Sequence, residues 1–209
     1  MKKIIAMAVA AVLFVSAASA LDLEFGARAF LGRNLDSGDF KQELANAKAD
    51  KIFDFGFGAY GNFALFGGLG IQAEANYVKS SMTFNKDGKK ENEIQYAMHI
   101  VDLAPMVWLN LDLWKLTIGF GAGPDFAIQV DSIGDIKNAE KQDFKPGLIA
   151  GADFKFYLTD HLGIVLSGRY VMDSEKKEVE VYGVKTGVPE YSFNRRTVYG
   201  GLGLEFKLF

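Results

Sequence analysis

The chain has 209 residues, with 23 Lys and Arg against 26 Asp and Glu, two His, no Cys and 23 Gly, for a net charge of −3. That balance excludes a basic nucleic-acid-binding surface, and the lack of cysteine excludes a disulfide framework and a thiolate metal centre. Lys2 and Lys3 precede an apolar run from Ile4 to Val15, and Ala18-Ser19-Ala20 supplies the small-x-small pattern that signal peptidase cuts. Residues 1–20 are therefore expected to be a cleaved signal peptide, with the mature chain starting at Leu21 and carrying a net charge of −5. The apolar run is shorter than the ~20 residues a membrane helix needs. Nothing after it is longer, so a membrane crossing would have to use strands closed into a barrel.

Alternating segments begin at once. Leu21 to Gly32 puts Leu23, Phe25, Ala27, Ala29 and Leu31 on one face and Glu24, Gly26, Arg28 and Phe30 on the other. Residues 33–51 read as a long polar link, in which Phe40, Leu44 and Ala47 have the spacing of a short amphipathic helical turn. Ile52 to Phe63 sets Phe53, Phe55, Phe57 and Ala59 against Asp54, Gly56, Gly58 and Tyr60, and turns at Leu65-Phe66-Gly67-Gly68. Leu69, Ile71, Ala73, Ala75 and Tyr77 then oppose Gly70, Gln72, Glu74 and Asn76. Asp87-Gly88, inside a charged stretch, marks the next hairpin.

The fourth strand, Ile94 to Leu109, places Val101, Leu103 and Val107 outward and Asp102, Ala104 and Met106 inward. Its phase falters around Tyr96 to Ile100, which suggests a bulge, and Pro105 needs an outward, weakly paired position. A turn at Asn110-Leu111-Asp112 leads to the fifth strand, where Leu116, Ile118, Phe120, Phe126 and Ile128 oppose Thr117, Gly119, Gly121, Gly123, Asp125 and Gln129. The sixth runs from Phe144 to Phe156 with Asp153 and Lys155 inward. Thr159-Asp160-His161 turns it into the seventh, where Leu162, Ile164, Leu166 and Tyr170 face out and Ser167 and Arg169 in. Residues 174–193 form a charged excursion with the pattern of a projecting hairpin, and Val198, Leu202, Leu204, Phe206 and Leu208 line the outer face of the closing strand.

The apolar face must meet lipid. With the faces exchanged, each basic residue brought to the bilayer midplane would cost ~2–4 kcal/mol and each acid somewhat less. Summed over Glu24, Arg28, Asp54, Glu74, Asp102, Asp125, Asp153, Lys155 and Arg169, that exceeds the ~5–15 kcal/mol that stabilises an ordinary domain. These residues, with Glu205 and Lys207, are expected to form a charge network inside the barrel. A soluble lipocalin-like barrel would need the opposite phase, with a greasy interior. The fold expected is all-β: a transmembrane, eight-stranded, antiparallel up-and-down β-barrel over residues 21–209, with short periplasmic turns and longer extracellular loops. It belongs in the outer membrane of a two-membrane bacterium.

The chain resembles the small eight-stranded outer-membrane barrels of the OmpX and OmpW type, within the porin-like superfamily. The likeness rests on Gly119-Phe120-Gly121-Ala122-Gly123-Pro124, the strand from Gly147 to Tyr157 with Leu158-Thr159-Asp160-His161-Leu162-Gly163 after it, Arg169-Tyr170, and a closing strand ending in Phe209. Leu208 keeps the outward phase and Phe209 breaks it, a departure from the family's terminal aromatic. The resemblance implies outer-membrane lipid as surroundings and recognition of the C-terminal strand by the barrel insertion machinery.

Phe30, Ile52, Val78, Ile149 and Val171 fall on the inward phase yet are apolar, and cluster toward the outer end. They are either filler above the charged interior or, as the resemblance to OmpW-type barrels implies, an outward-facing cup for a small hydrophobic solute. The alternative function is adhesion, with residues 174–193 meeting a host or surface ligand. No catalytic, cofactor or metal site is expected. Gly119, Gly121 and Gly123 are not followed by a helix, as a dinucleotide loop would require. His99 and His161 lie at opposite ends of the topology, and Ser80 and Ser81 near His99 lack a positioned acid for lipid-esterase chemistry. Aromatic residues at strand ends, Phe63, Trp114 and Phe156 below and Phe53, Tyr77, Phe144 and Tyr170 above, fit interfacial girdles.

Overall fold

The computed structural model describes residues 23–35, 39–40, 48–51, 53–66, 68–85, 93–134, 146–174, 177–180, 190–193 and 195–208. Residues 1–20, Ile52, Gly67, Asp87-Gly88, Phe144 and Phe209, all used above, lie outside that set. Twelve strands follow in order: β1 (Leu23–Asn34), β2 (Asp39–Phe40), β3 (Lys48–Lys51), β4 (Asp54–Phe66), β5 (Leu69–Asn85), β6 (Glu93–Leu113), β7 (Leu116–Gly134), β8 (Gly147–Tyr157), β9 (Leu162–Met172), β10 (Lys177–Glu180), β11 (Glu190–Phe193) and β12 (Arg196–Lys207). Eight of them, β1, β4 to β9 and β12, make the wall. Each pairs antiparallel with its sequence neighbour, and β1 closes the ring by pairing with both β4 and β12. Closure leaves no open edge in the hydrocarbon, where an unpaired amide has no partner.

The two faces separate by the pleat. Phe25, Leu31, Phe55, Phe57, Ile71, Leu103, Val107, Phe120, Phe126, Leu148, Phe154, Leu166, Leu202 and Leu204 are all exposed on the outside. A continuous apolar belt of this extent would not be left to water, so its solvent is lipid. Inside, Glu24, Arg28, Asp54, Glu74, Asp102, Asp125, Asp153, Lys155, Arg169 and Glu205 are buried.

Turns are tight at the end where β1 starts. Gly68 has φ +78°, and a Cβ there would fall 2.1 Å from the Asn110 carbonyl oxygen, while the Asn110 N–H donates to the Gly68 carbonyl at 2.8 Å. The turn between β6 and β7 lies at Trp114-Lys115, beyond the expected Asn110-Leu111-Asp112. Those polar residues are held in the ladder instead: Asn110 Oδ1 accepts from Trp108 Nε1 at 2.9 Å, and Asp112 accepts from the Thr117 hydroxyl at 2.5 Å. The reversal falls on Trp114, which takes the left-handed φ of 58° and is 92 % exposed, with Lys115 Nζ 5.4 Å from its ring centre. An indole there suits the bilayer interface.

At the other end β5, β6 and β7 reach 17, 21 and 19 residues, well past the ~9–11 that cross a bilayer, so they project beyond it. The phase slip expected near Tyr96 to Ile100 occurs between His99 and Ile100, but the extra residue is on β7: His99 pairs with Asp131 and Ile100 with Gln129, leaving Val130 over. Pro105 is exposed and pairs across to Ala73 on β5, while the β6–β7 ladder is interrupted from Leu103 to Val107. A proline lacks the N–H that this edge would need. The expected helical turn around Phe40, Leu44 and Ala47 is corrected for its first residue: Phe40 is extended and pairs with Tyr191. Leu44 and Ala47 lie outside the described residues. β10 and β11 pair as a hairpin within residues 174–193, and β2 joins them in a separate three-stranded sheet. Two excursions thus meet, because the backbone of β2 finds its partners on β11.

Candidate functional site

The inward side chains assemble into three tiers, each held by residues from strands far apart in sequence. In the tier at the start of β1, Lys155 on β8 is fully buried, and its Nζ lies 2.5 Å from Glu24 Oε2 and 2.8 Å from Glu205 Oε2. The excess carboxylate charge is met by neutral donors. Asn62 Nδ2 donates to Glu24 at 2.8 Å and the Tyr60 hydroxyl to Glu205 at 2.8 Å. The Tyr157 hydroxyl lies 3.0 Å from Glu24 and 2.6 Å from Glu205, so its one proton serves either.

The middle tier balances two guanidinium groups against two carboxylates. Glu74 accepts from Arg28 Nη2 through one oxygen, and from Arg169 Nε and Nη2 at 2.9 and 2.7 Å through the other. Asp153 takes Arg169 as a fork, at 2.7 and 3.0 Å. Such bidentate pairing fixes orientation as well as charge. The Arg169 guanidinium also lies 5.0 Å from the Trp108 ring centre, and that of Arg28 5.2 Å from the Tyr60 ring. Small residues make the space: a Cβ on Gly151 would fall 2.7 Å from Arg169 Cδ, and one on Gly119 2.5 Å from Trp108 Nε1.

The outer tier is built on Arg195, just before β12. It reaches Asp102 on β6 at 2.6 Å, Asp173 at the end of β9 at 3.2 Å, and Asp125 on β7. A backbone bond from Asp173 N–H to the Arg195 carbonyl, 2.9 Å, ties the two feet of the 174–193 excursion together at the same place.

Between the middle and outer tiers lies a small cleft, with room for about one water-sized group once the space open to solvent is left out. Phe30, Val78, Ile149 and Val171 line it, together with Arg28, Arg169, Asp102 and Tyr199. Asp102 belongs to both the cavity wall and the Arg195 cluster. Because Asp173 and Arg195 lie beyond Val171 and Tyr199 on their strands, that cluster takes the outward side of the cavity. Of the residues expected to form the apolar cup, Ile52 alone lies outside the described set.

Of the expected charge network, Glu24, Lys155 and Glu205 come together in one tier, Arg28, Glu74, Asp153 and Arg169 in the next, and Asp102 and Asp125 in the third. Asp54 is buried on the same face, and Lys207 is half-buried at the rim, where its carbonyl lies 3.0 Å from His161 Nδ1. Arg195, Asp173, Tyr157 and Trp108 join these clusters without having been among the expected residues. Parity could have found Trp108, which shares the inward phase of Asp102, Ala104 and Met106, and Arg195, which shares that of Thr197 and Tyr199. Ser80 is buried inside whereas His99 lies on the alternate phase and bonds the Tyr77 hydroxyl, so these two do not meet as nucleophile and base.

No family model matches the chain, and no curated protein matches it by sequence. Among solved structures, the outer membrane protein OprG from Pseudomonas aeruginosa superposes with a TM-score of 0.72 at 14 % identity, over 90 % of this chain and 95 % of that one. The N-terminal β-barrel domain of Pseudomonas aeruginosa OprF gives 0.44 at 14 % identity, over 88 % and 97 % of the two chains. The outer membrane protein AlkL in lipid bilayers gives 0.42 at 14 % identity, over 88 % and 90 %. Only the first is close enough to compare fold with fold, and at that identity it speaks to the fold alone. The chain thus has the fold of the small eight-stranded outer-membrane β-barrels, and its apolar belt places it in a bacterial outer membrane.

Proposed function

We propose that this barrel binds a small hydrophobic solute in the outer half of its lumen and serves its passage into the membrane or cell envelope. The observation that carries this reading is the apolar set Phe30, Val78, Ile149 and Val171, from four strands, lining one side of a cleft between two ionic tiers. Beneath the cavity the two lower tiers and the fully buried Trp108, Gln72 and Val165 occupy the axis, as expected for eight strands. A wide aqueous channel is therefore not part of the proposal, and planar-bilayer recordings should show no large steady conductance. The chain is read as a binding protein and not as an enzyme. A fluorescent fatty acid should bind the detergent-solubilised barrel saturably, and Phe30→Asp with Ile149→Asp should abolish that binding. Unchanged binding in the double variant, with the barrel intact, removes the cup.

A second reading rests on the outer sheet. β2, β10 and β11 join two excursions into one projecting platform, which suits contact with a host or surface ligand. Replacing residues 177–192 by a short Gly-Ser link, with Asp173 and Arg195 kept, should then abolish cell-surface adhesion while leaving solute binding intact. Adhesion equal to wild type ends this reading. For biogenesis, the proposal includes removal of residues 1–20 as a signal peptide and engagement of the insertion machinery by the closing strand.

A further inference from the structure

The lipid-facing wall is apolar up to its outer margin, where it turns basic. Arg33 on β1, Lys79 on β5 and Arg196 on β12 are exposed on the outward phase. Each stands ten residues from an outward apolar residue toward the opposite end of its strand, respectively Leu23, Leu69 and Phe206. At about 3.3 Å per residue and a tilt of ~40°, ten residues climb about 25 Å, the height of a barrel's apolar band. These cations therefore lie where hydrocarbon gives way to headgroups, and their long side chains reach into that layer.

Two of the three form a pair. In the β1–β12 ladder Arg33 lies opposite Val198, two positions from Arg196, so the arginines are diagonal neighbours at roughly 7–8 Å. The Leu35 N–H donates to the Arg196 carbonyl at 2.6 Å and keeps this margin of the ladder closed. Like charges so placed repel, and the wall around them offers no compensation. Among the described residues neither arginine makes an ion pair, and the outward phase of β1, β4, β5, β9 and β12 carries no carboxylate. Two uncompensated guanidinium groups at the headgroup layer suit a phosphate, whose oxygens accept their forked N–H donors.

Below the pair the wall is hollowed. Gly200 on β12, Gly168 on β9 and Ala152 on β8 stand opposite one another in adjacent ladders, and all three face lipid. Val198 and Tyr170 flank this row toward the outside, and Leu202, Leu166 and Phe154 flank it toward the periplasm, so nearly bare backbone floors a groove. A Cβ on Gly200 would meet no atom within 4 Å, and one on Gly168 only the Ala152 carbonyl oxygen at 3.9 Å. The barrel's own packing thus requires glycine at neither place, although glycine weakens a strand, and the bare backbone fits close approach from outside by an acyl chain. We infer that Arg33 and Arg196 clamp a phosphate of an outer-leaflet lipid, with one of its acyl chains lying in the groove over Gly200 and Gly168. The site is on the lipid side of the wall and does not involve the lumen.

The test titrates the full mature barrel, in a neutral detergent, with bisphosphorylated lipid A and follows the bound lipid by native mass spectrometry. Dephosphorylated lipid A with the same acyl chains, and inorganic phosphate, are the comparison probes. Lipid A should bind saturably, at least tenfold tighter than either of them. Arg33→Gln or Arg196→Gln should weaken it about fivefold and the double variant about twenty-five-fold, at the worth of one basic side chain near an anionic surface for each. Lys115→Gln, at the opposite end of the wall, should leave binding unchanged, and all these exposed substitutions should keep the wild-type unfolding midpoint. Gly200→Leu, which fills the groove, should weaken both forms of lipid A alike. Dephosphorylated lipid A binding as tightly as lipid A, a double variant that binds like wild type, or an equal loss in Lys115→Gln overturns the clamp. Inorganic phosphate binding as tightly as lipid A removes the lipid as its occupant, and wild-type binding in Gly200→Leu overturns the groove.

Discussion

Replacing Arg195 by alanine is expected to destabilise the barrel by about 3–5 kcal/mol, the cost of removing one partner from a buried ion cluster. The guanidinium is the shared cation for Asp102, Asp125 and Asp173, all buried, so its loss leaves three carboxylates facing one another in a poorly solvated mouth. Lysine at this position should recover only part of the loss, because a point-like ammonium cannot divide itself among three acceptors as a planar fork can. Asp125→Asn added to the alanine variant should also recover part, by removing one of the repelling charges. Urea unfolding in lipid, followed by the emission of the buried Trp108 against the exposed Trp114, measures each variant. A loss under about 1 kcal/mol would mean that the cluster is wet and screened, as exposed ion pairs are. The same variant bears on function, since Arg195 lies over the cavity and pins the base of the 174–193 excursion.

Glu74→Ala should be of similar severity, about 3–5 kcal/mol, and more damaging than Asp153→Ala. Among the described residues Glu74 alone holds Arg28 by an ion pair, and it shares Arg169 with Asp153. After Asp153→Ala, Arg169 still has Glu74 at 2.7 Å and the backbone carbonyls of Gly168 and Ala152 at 2.8 and 3.2 Å. After Glu74→Ala, Arg169 keeps its fork to Asp153, but the partner left to Arg28 among the described residues is the face of Tyr60, worth about 2 kcal/mol and less than a buried ion pair. Gln72 and Asn76 also lose the acceptor to which they donate. A double variant, Glu74→Leu with Arg28→Leu, should recover much of the deficit, because it removes the orphaned cation together with its partner. Equal midpoints for Glu74→Ala and Asp153→Ala would contradict this division of labour.

The lipid-facing phase was legible because it is a local property. Side chains alternate across a strand whatever the strand pairs with, so Phe55, Phe57, Leu166 and Leu202 could be assigned to the outside and Glu74 and Arg169 to the inside from parity and transfer cost alone. Turn positions were less legible. Asn110 and Asp112 read as turn residues by propensity, yet their side chains are engaged within the β6–β7 hairpin, and the reversal moved to Trp114. Phe40 had helical spacing, but a strand 151 residues further on supplied its backbone partners. Propensity loses to such non-local pairing because a satisfied backbone is worth more than a small intrinsic preference.

An apolar outside, a charged inside and eight crossings all follow from period-two alternation and the cost of charge in hydrocarbon, and so were present in the one-dimensional pattern. Which charges meet depends on the closed barrel. Lys155 joins Glu24 across 131 positions, Glu74 joins Arg169 across 95, and Arg195, at the margin of a loop, became the centre of the outer cluster. Those partners are set by the register and closure of the barrel, which bring distant strands to one height on the axis. No one-dimensional pattern records that height. The cavity has the same origin, as the space left where an apolar ring from four strands lies between two ionic layers.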